Sequence, residues 1–368
     1  KAIKYLKMKF SHIADSHLGG WRQPELQELN RQSFTYAINT SIEEQVDFIL
    51  FAGDLFDSAF PSIETLKFAF SEFKKLKDAN IKSYIIAGSH DYSVSGKTFL
   101  DVLEKAGFCQ ICKYQENQET QEITLEPIRD KECYIYGYPG KKSGLEVESL
   151  RKIKINQPYS ENFRILMLHT TVKEAAQNLP IDSIPLDQLP QADYYALGHI
   201  HIDFNQEVNN KPAVYGGPTF PNNFKELEEL KQGAFYIIEV AGYTKVTKKE
   251  IKIKPVELIK IEIDNAIKAT EKIIKELEKR ELKDKIILLK LFGILKQGKY
   301  TDIKFQEIQD FIEKQNAYSF LKNTSKLEVE RQDLQIEFSD PNHNKEKIEE
   351  TLSKTYEKKN HSNNNKLI

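Results

Sequence analysis

Apolar residues follow two rhythms along the first 240 positions. Short runs rich in β-branched and aromatic residues predict strands at 8–14, 46–52, 81–87, 133–137, 163–168, 193–197, 213–215 and 234–240. Between them, residues 25–45 carry Leu26, Leu29, Ala37, Ile38 and Ile42 near helical spacing. Residues 63–79 repeat the pattern with Leu66, Phe70, Phe73 and Leu76, and residues 98–105 form a shorter helix. Runs that are apolar at nearly every position belong to strands buried on both faces. The expected fold class is therefore α/β, two sheets packed face to face with helices over both outer surfaces.

The pattern changes near Pro255. Residues 256–263 read as a strand, 266–280 as a charged amphipathic helix and 284–295 as another strand. That predicts a domain at 1–250, a small α/β unit at 251–325, and a partner-docking segment and tail at 326–368. Residues 342–368 hold few large apolar groups and end in a polar Asn-rich stretch, a composition that cannot bury enough surface to order itself. Met8 immediately precedes the first strand, so residues 1–7 read as an extension.

Composition narrows the class. Over 368 residues, 40% are hydrophobic and 29% charged, which excludes collagenous and wholly disordered chains. The longest apolar run, residues 286–295, is interrupted by Lys290 and falls short of the ~20 residues a membrane span requires. Three cysteines cannot build a disulfide framework, and the first residues lack a signal-like apolar stretch, so a cytoplasmic setting is expected. Net charge is −2. Residues 1–250 carry 29 basic and 34 acidic side chains, residues 251–368 carry 24 and 21, and neither balance by itself announces an anionic partner.

The chemistry lies at the ends of the predicted strands. Five segments cluster histidines, carboxylates and glycines there: His12-Ile-Ala-Asp15-Ser-His17, Gly53-Asp54, Gly88-Ser89-His90-Asp91, His169, and Gly198-His199-Ile-His201. Ligands in layered α/β folds gather outside the carboxyl ends of strands, so these segments can meet in one crevice. Asp15 and His17 are two residues apart, as are His199 and His201, which in extended backbone aims each pair to one side. With Asp54 and His169 they make six strong N and O ligands, too many for one tetrahedral ion and suited to two ions sharing a carboxylate. Such a centre favours in-line displacement at phosphorus.

In these blocks the sequence resembles the calcineurin-like metallophosphoesterase superfamily, with its order Asp-x-His, Gly-Asp, Gly-Asn-His-Asp/Glu, His, Gly-His-x-His. His12-Ile-Ala-Asp-Ser-His-Leu-Gly19, Gly53-Asp-Leu-Phe-Asp57 and Tyr194-Tyr-Ala-Leu-Gly-His-Ile-His201 look most like nuclease subunits of the prokaryotic double-strand-break repair complex, the SbcD type. The resemblance implies an α-β-β-α sandwich with a small capping, DNA-contacting domain. It also implies two Mn²⁺ ions, with Fe, Zn and Mg as alternatives: Asp15, His17, Asp54 and His201 would hold one, and Asp54, His169, His199 and the residue at position 89 the other. His90 would act on the scissile phosphate with Asp91 orienting it. Implied partners are DNA, a second copy of the chain and a coiled-coil ABC-type ATPase (SbcC type), docked through the segment after Ser325 that includes residues 327–338. Exonuclease and single-strand endonuclease activity follow from the same likeness.

Ser89 departs from the pattern, which has Asn there. A serine hydroxyl is shorter and a poorer ligand than an amide carbonyl, which leaves direct Oγ ligation, a bridging water or a weakly held second metal, and favours the last two. Arg22 and Arg31, near the first block, are candidate phosphate contacts. Four features read as structural: His12, which alternates away from Asp15; Cys109 and Cys112, beside an apolar strand; Phe68, Phe70 and Phe73 as core; and the Lys/Glu helix as a solvated face. The competing functions are a small-molecule phosphoesterase on the same core and a catalytically weak scaffold that tethers DNA ends.

Overall fold

In the computed structural model, residues 7–93, 98–156, 162–176 and 180–330 are described. In chain order the elements are β1 (Lys7–Ile13), α1 (Pro24–Glu43), β2 (Phe48–Ala52), α2 (Ile63–Asp78), β3 (Lys82–Ile86), α3 (Phe99–Lys105), β4 (Gln110–Ile111), β5 (Tyr114–Glu116), β6 (Ile123–Leu125), β7 (Ile128–Asp130), β8 (Cys133–Tyr138), α4 (Glu146–Leu150), β9 (Ile153–Lys154), β10 (Phe163–His169), α5 (Lys173–Ala176), β11 (Tyr194–Gly198), β12 (Asn205–Val208), β13 (Lys211–Tyr215), α6 (Phe224–Leu230), β14 (Gly233–Ala241) and β15 (Thr244–Ile251). Beyond these come β16 (Val256–Glu262), α7 (Ala266–Glu278), β17 (Ile286–Leu295), α8 (Phe305–Lys314) and β18 (Ser319–Val329).

Two six-stranded sheets stack with strand orders β15-β14-β1-β2-β3-β4 and β12-β13-β11-β10-β8-β7. Their central strands are parallel, and β14, β15, β12 and β7 add antiparallel edges. Alternation along the strands decides which layer each side chain enters. Phe10, Leu50, Tyr84 and Ile86 meet Ile135, Ile165, Met167, Tyr194 and Ala196 between the sheets. The intervening Ile13, Ile49, Phe51 and Ile85 turn outward under α1, α2 and α3, where Phe73 is fully buried and Phe68 and Phe70 are partly covered. Leu166, Leu168, Tyr195 and Leu197 pack under α4 and α5 on the far side. Both faces of each sheet are thus covered, the α-β-β-α sandwich expected from the runs. Each fully buried large side chain contributes about 1.5–3 kcal/mol of transfer free energy.

The C-terminal unit is a parallel three-stranded sheet, β16-β17-β18. Ile287, Leu289 and Leu291 of β17 face α7 and α8. Its alternate residues Ile286 and Leu288 pack against Trp21, Leu26, Leu29, Phe220 and Leu227 of the first domain. The expected boundary at 325 falls inside β18, which extends to Val329. The run Lys322-Asn-Thr-Ser-Lys326 hides that strand, because β18 is a sheet edge with a single buried residue and needs few apolar side chains. Leu327, at the start of the expected docking segment, belongs to β18, while residues 331–368, with the rest of that segment and the tail, lie outside the described residues, as do residues 1–6. No helix among the described residues is long and apolar enough to cross a membrane. Cys109, Cys112 and Cys133 are free thiols. The strand expected beside the first two is only the two-residue β4, and burial pushes Cys112 up to about 12.

His12 is fully buried between the sheets, its Nδ1 2.9 Å from the Tyr194 hydroxyl. Burial lowers its pKa to about 3. Because an unfolded histidine titrates near 6.5, the unfolded chain binds the extra proton between these values, so stability is complete above about pH 6.5 and falls as pH drops. We expect His12→Asn, whose amide still reaches Tyr194, to lose about 2 kcal/mol less than wild type between pH 7.5 and 5 in urea unfolding. Parallel pH profiles for the two proteins would contradict this assignment.

Candidate metal centre

The candidate ligands stand on loops that leave the carboxyl ends of β1, β2, β3, β10 and β11. Backbone bonds lace the first two loops together: the Asp15 amide donates to the Gly53 carbonyl at 3.0 Å and the His17 amide to the Asp54 carbonyl at 3.0 Å. Asp15, His17, Asp54 and His199 adopt positive φ angles of 53°, 42°, 50° and 104°. Such conformations cost about 1–3 kcal/mol each for side chains with a Cβ, and they persist where surroundings impose them for a function. Gly53, at φ +92°, has no such choice, since a Cβ there would lie 2.2 Å from His169 Nδ1.

Ligand atoms fall into overlapping groups, each spanning no more than 4.8 Å: Asp15, His17 and His201; His17, Asp54 and His90; and Asp54, His169 and His199. Asp54 joins them. Its Oδ2 lies 3.6 Å from His17 Nε2 and 3.2 Å from His169 Nε2, and its Oδ1 accepts the His90 amide at 2.8 Å. Asp15 Oδ1 accepts the His199 amide at 2.9 Å.

Three imidazoles have their outer nitrogen committed. His17 Nδ1 meets Asp57 Oδ1 at 3.0 Å, His201 Nδ1 meets Glu226 Oε2 at 2.9 Å, and His169 Nδ1 meets the Ala52 carbonyl at 2.9 Å. An acceptor at Nδ1 places the proton there and leaves the Nε2 lone pair facing inward. His17 and His201 consequently point two Nε2 atoms at each other across 3.2 Å. Two lone pairs at that distance repel unless a proton or a cation lies between them. Buried Asp15 Oδ2 also has no hydrogen-bond partner among the described residues.

The charges make the same demand. Burial raises the Asp15 pKa, while Asp54 is held below the usual carboxylate range because His169 and His17 outweigh its desolvation. Burial also opposes the His169 cation, yet Asp54, by charge and hydrogen bond, brings the ring up to about 10. His199 moves the other way, to about 4, through burial and the neighbouring His169 charge. The centre therefore attracts positive charge, and its borderline N and O donors fit Mn, Fe or Zn.

Two sequence expectations change here. Asp91 does not orient His90: its buried carboxylate accepts the amides of Leu55, Phe56 and Gly88 at 3.1, 2.9 and 3.0 Å, tying the loops after β2 and β3 together. His90 is held instead by Asp57, whose carbonyl lies 2.8 Å from Nδ1. Arg31 is not brought to the cluster, since its guanidinium stacks 5.6 Å over Phe68 on the helical side. Arg22 is exposed on the loop whose Gly20 packs against Asp57 and Asn222. Ser89 sits at the rim with Oγ 3.5 Å from Asp54 Oδ2, beside the Asp54–His169–His199 group. The sequence reading missed Asp57, Glu226 and Asn222, which holds Asp57 at 3.1 Å. Asp57 was visible in the Gly53-Asp-Leu-Phe-Asp57 run, whereas Glu226 lies on the unexpected α6 and carried no local signal.

A double-layered α/β sandwich with two carboxylate-linked histidine groups at its strand ends defines a metal-dependent phosphoesterase. The chain belongs to the calcineurin-like phosphoesterase family, whose profile matches residues 8–203. It is 31% identical to the DNA double-strand break repair protein Mre11 of Methanocaldococcus jannaschii, over 69% of this chain and 67% of that protein. It is 26% identical to the Mre11 protein of Archaeoglobus fulgidus over 83% and 76% of the two chains. Similarity also extends to an uncharacterized metallophosphoesterase, YhaO, of Bacillus subtilis, at 27% identity over 64% of this chain and 58% of that one.

Removing the acceptor behind a metal-binding imidazole commonly weakens affinity 10–100-fold. We therefore expect Glu226→Ala to raise the Kd for Mn²⁺ by about that factor in titration calorimetry, with an unchanged melting temperature in the absence of metal. An unaltered Kd would show that His201 needs no support from α6.

Proposed function

We propose that this chain is a Mn²⁺-dependent DNA nuclease, with exonuclease and single-strand endonuclease activity, that serves double-strand-break repair as a homodimer with a coiled-coil ABC-type ATPase. The observation that carries this reading is the shared carboxylate: Asp54 joins two buried ligand groups, and an exposed imidazole, His90, borders both. Likeness to the Mre11 proteins favours DNA over a small phosphate ester. In this reading residues 1–250 are the nuclease domain, the unit from 251 onward contacts DNA, and the segment beyond it docks the ATPase.

When bound, two divalent ions supply an activated water and charge stabilisation for the attacking and leaving oxygens. Asp15, His17, Asp54 and His201 would hold one ion, and Asp54, His169, His199 and Ser89 the other. The remaining work falls to this chain's own groups. The Asp57 carbonyl fixes the His90 proton on Nδ1, which leaves Nε2 at the open side of the site. From there the ring holds a phosphate oxygen, or when protonated gives a proton to the leaving oxygen. Asp91 acts one step back by keeping the Asp54 and His90 loops in register.

End-labelled DNA and Mn²⁺ test the reading directly. His90→Ala should cut the cleavage rate by about 10²-fold or more while Mn²⁺ still binds, and wild type should hydrolyse p-nitrophenyl phosphate poorly. Equal cleavage by both proteins would reject the role of His90, and efficient monoester hydrolysis without DNA cleavage would replace the nuclease with a small-molecule phosphoesterase. Ser89 generates a second expectation. Ser89→Asn, which offers a carbonyl, should lower the Mn²⁺ concentration that half-saturates cleavage; wild type binding one metal and cutting at no Mn²⁺ concentration would instead favour the scaffold reading.

A further inference from the structure

His90 and Ser89 have a second side. They form one wall of a cavity of about 620 Å³ whose other walls include Phe60, Tyr92 and Lys142. That volume lies within the range that holds a small organic ligand. The most conspicuous lining group is Phe60, which is 74% exposed on the loop between β2 and α2. Its backbone is not loose: the Phe60 amide donates to Ser58 Oγ at 3.2 Å, and Pro61 follows. Phe34, Phe68, Phe70 and Phe73, by contrast, are packed in or against the helical core. Lys142 is exposed at the same cavity and makes no ion pair among the described residues.

An exposed aromatic ring, a free cation and an open groove are the combination that holds single-stranded nucleic acid, because every base has a face to stack and every nucleotide a phosphate to pair. The groove is continuous with the metal centre through His90 and Ser89. A phosphodiester held there must carry its neighbouring nucleotide into one of the adjoining spaces, and this one offers an apolar face and a positive charge. We propose that the cavity is a nucleobase subsite for the nucleotide next to the scissile phosphate, with Phe60 stacking on the base and Lys142 pairing with the next phosphate. This inference rests on the reading of the centre as a DNA phosphodiesterase and adds to it a requirement: the nucleotide must be unpaired and unstacked from its neighbour before it is cut.

The test uses the full chain as wild type, Phe60→Ala and Phe60→Trp, with Mn²⁺ and two end-labelled strands of equal length, one of oligothymidylate and one made wholly of tetrahydrofuran abasic nucleotides. Wild type should show a KM for the thymidylate strand about tenfold or more below that for the abasic strand. Phe60→Ala should erase that preference by raising the thymidylate KM alone, and Phe60→Trp should keep it. Cleavage of both strands with one KM, or an equal effect of Phe60→Ala on both, overturns the subsite while leaving the nuclease reading intact. Should wild type cleave neither strand, the nuclease reading fails, and binding of a 2-aminopurine strand with Ca²⁺ in place of Mn²⁺ decides the subsite separately. Quenching that depends on Phe60 supports it, and its absence overturns it. A change of oligomeric state in Phe60→Ala on gel filtration would assign Phe60 to contact between copies of the chain and would likewise overturn the proposal.

Discussion

The structure turns on the burial of two carboxylates, Asp15 and Asp54, at the carboxyl edge of one sheet. An ionised carboxylate taken out of water costs several kcal/mol unless charges and donors around it replace the lost hydration. The chain supplies them from both sheets. Asp54 receives the His90 amide from the loop after β3, while His169 at the end of β10 approaches its other oxygen. Asp15, after β1, receives the amide of His199, after β11. The strand order places β1, β2 and β3 side by side in one sheet and β10 and β11 side by side in the other, so stacking the sheets brings all five ends together. Positive φ angles and the glycines at 53 and 88 are the local price of that convergence. A Cβ at Gly88 would stand 2.1 Å from Asp54 Oδ1, which leaves room there for glycine alone.

This also explains what could be read before the fold was seen. Strands buried on both faces are nearly continuous apolar runs, and a ligand must follow a strand end closely, so Asp15, His17, Asp54, His169, His199 and His201 were legible from local pattern. Support from a distance was not. Glu226 reaches His201 from a helix that begins after Asn223, a position that says nothing about its neighbours in space. Asp91 was assigned to His90 on the family resemblance; in three dimensions the amides of Leu55 and Phe56, some 35 positions earlier, claim its carboxylate. The outer strands escaped for a different reason. β15 carries three lysines and a glutamate among its eight residues, and β18 interrupts its apolar residues with the polar run Lys322-Asn-Thr-Ser-Lys326, the composition of strands with one wet face or a free edge.

Net charge is a poor guide to such a site. A total of −2 over 368 residues describes the distant field, which falls away within about 10 Å at ordinary ionic strength. Two divalent ions would add about four positive charges where a phosphate must sit, and ions of this kind dominate the local field. Under the proposed nuclease reading, the isolated chain would hold DNA weakly through its general surface and more firmly at one place.

The C-terminal unit is not independent of that place. Trp21, two residues beyond Gly19 in the Asp15–His17 loop, packs with Phe220 and Leu227 against Ile286 and Leu288 of β17. The Tyr318 hydroxyl donates to the Glu25 carbonyl at 3.1 Å, and Ser319 Oγ donates to the Glu25 carboxylate at 3.0 Å, at the start of α1. The short helix α6 carries both sides of the connection. Glu226 faces His201, while Glu228, two residues on, receives Lys260 of β16 at 2.9 Å and Lys290 of β17 at 2.6 Å. A helix of seven residues packed through Leu227 has little freedom to yield at one end alone. A displacement of the β16–β18 sheet that carried Glu228 with it would move Glu226 as well, so the seating of this unit and the orientation of the His201 imidazole are set by the same element.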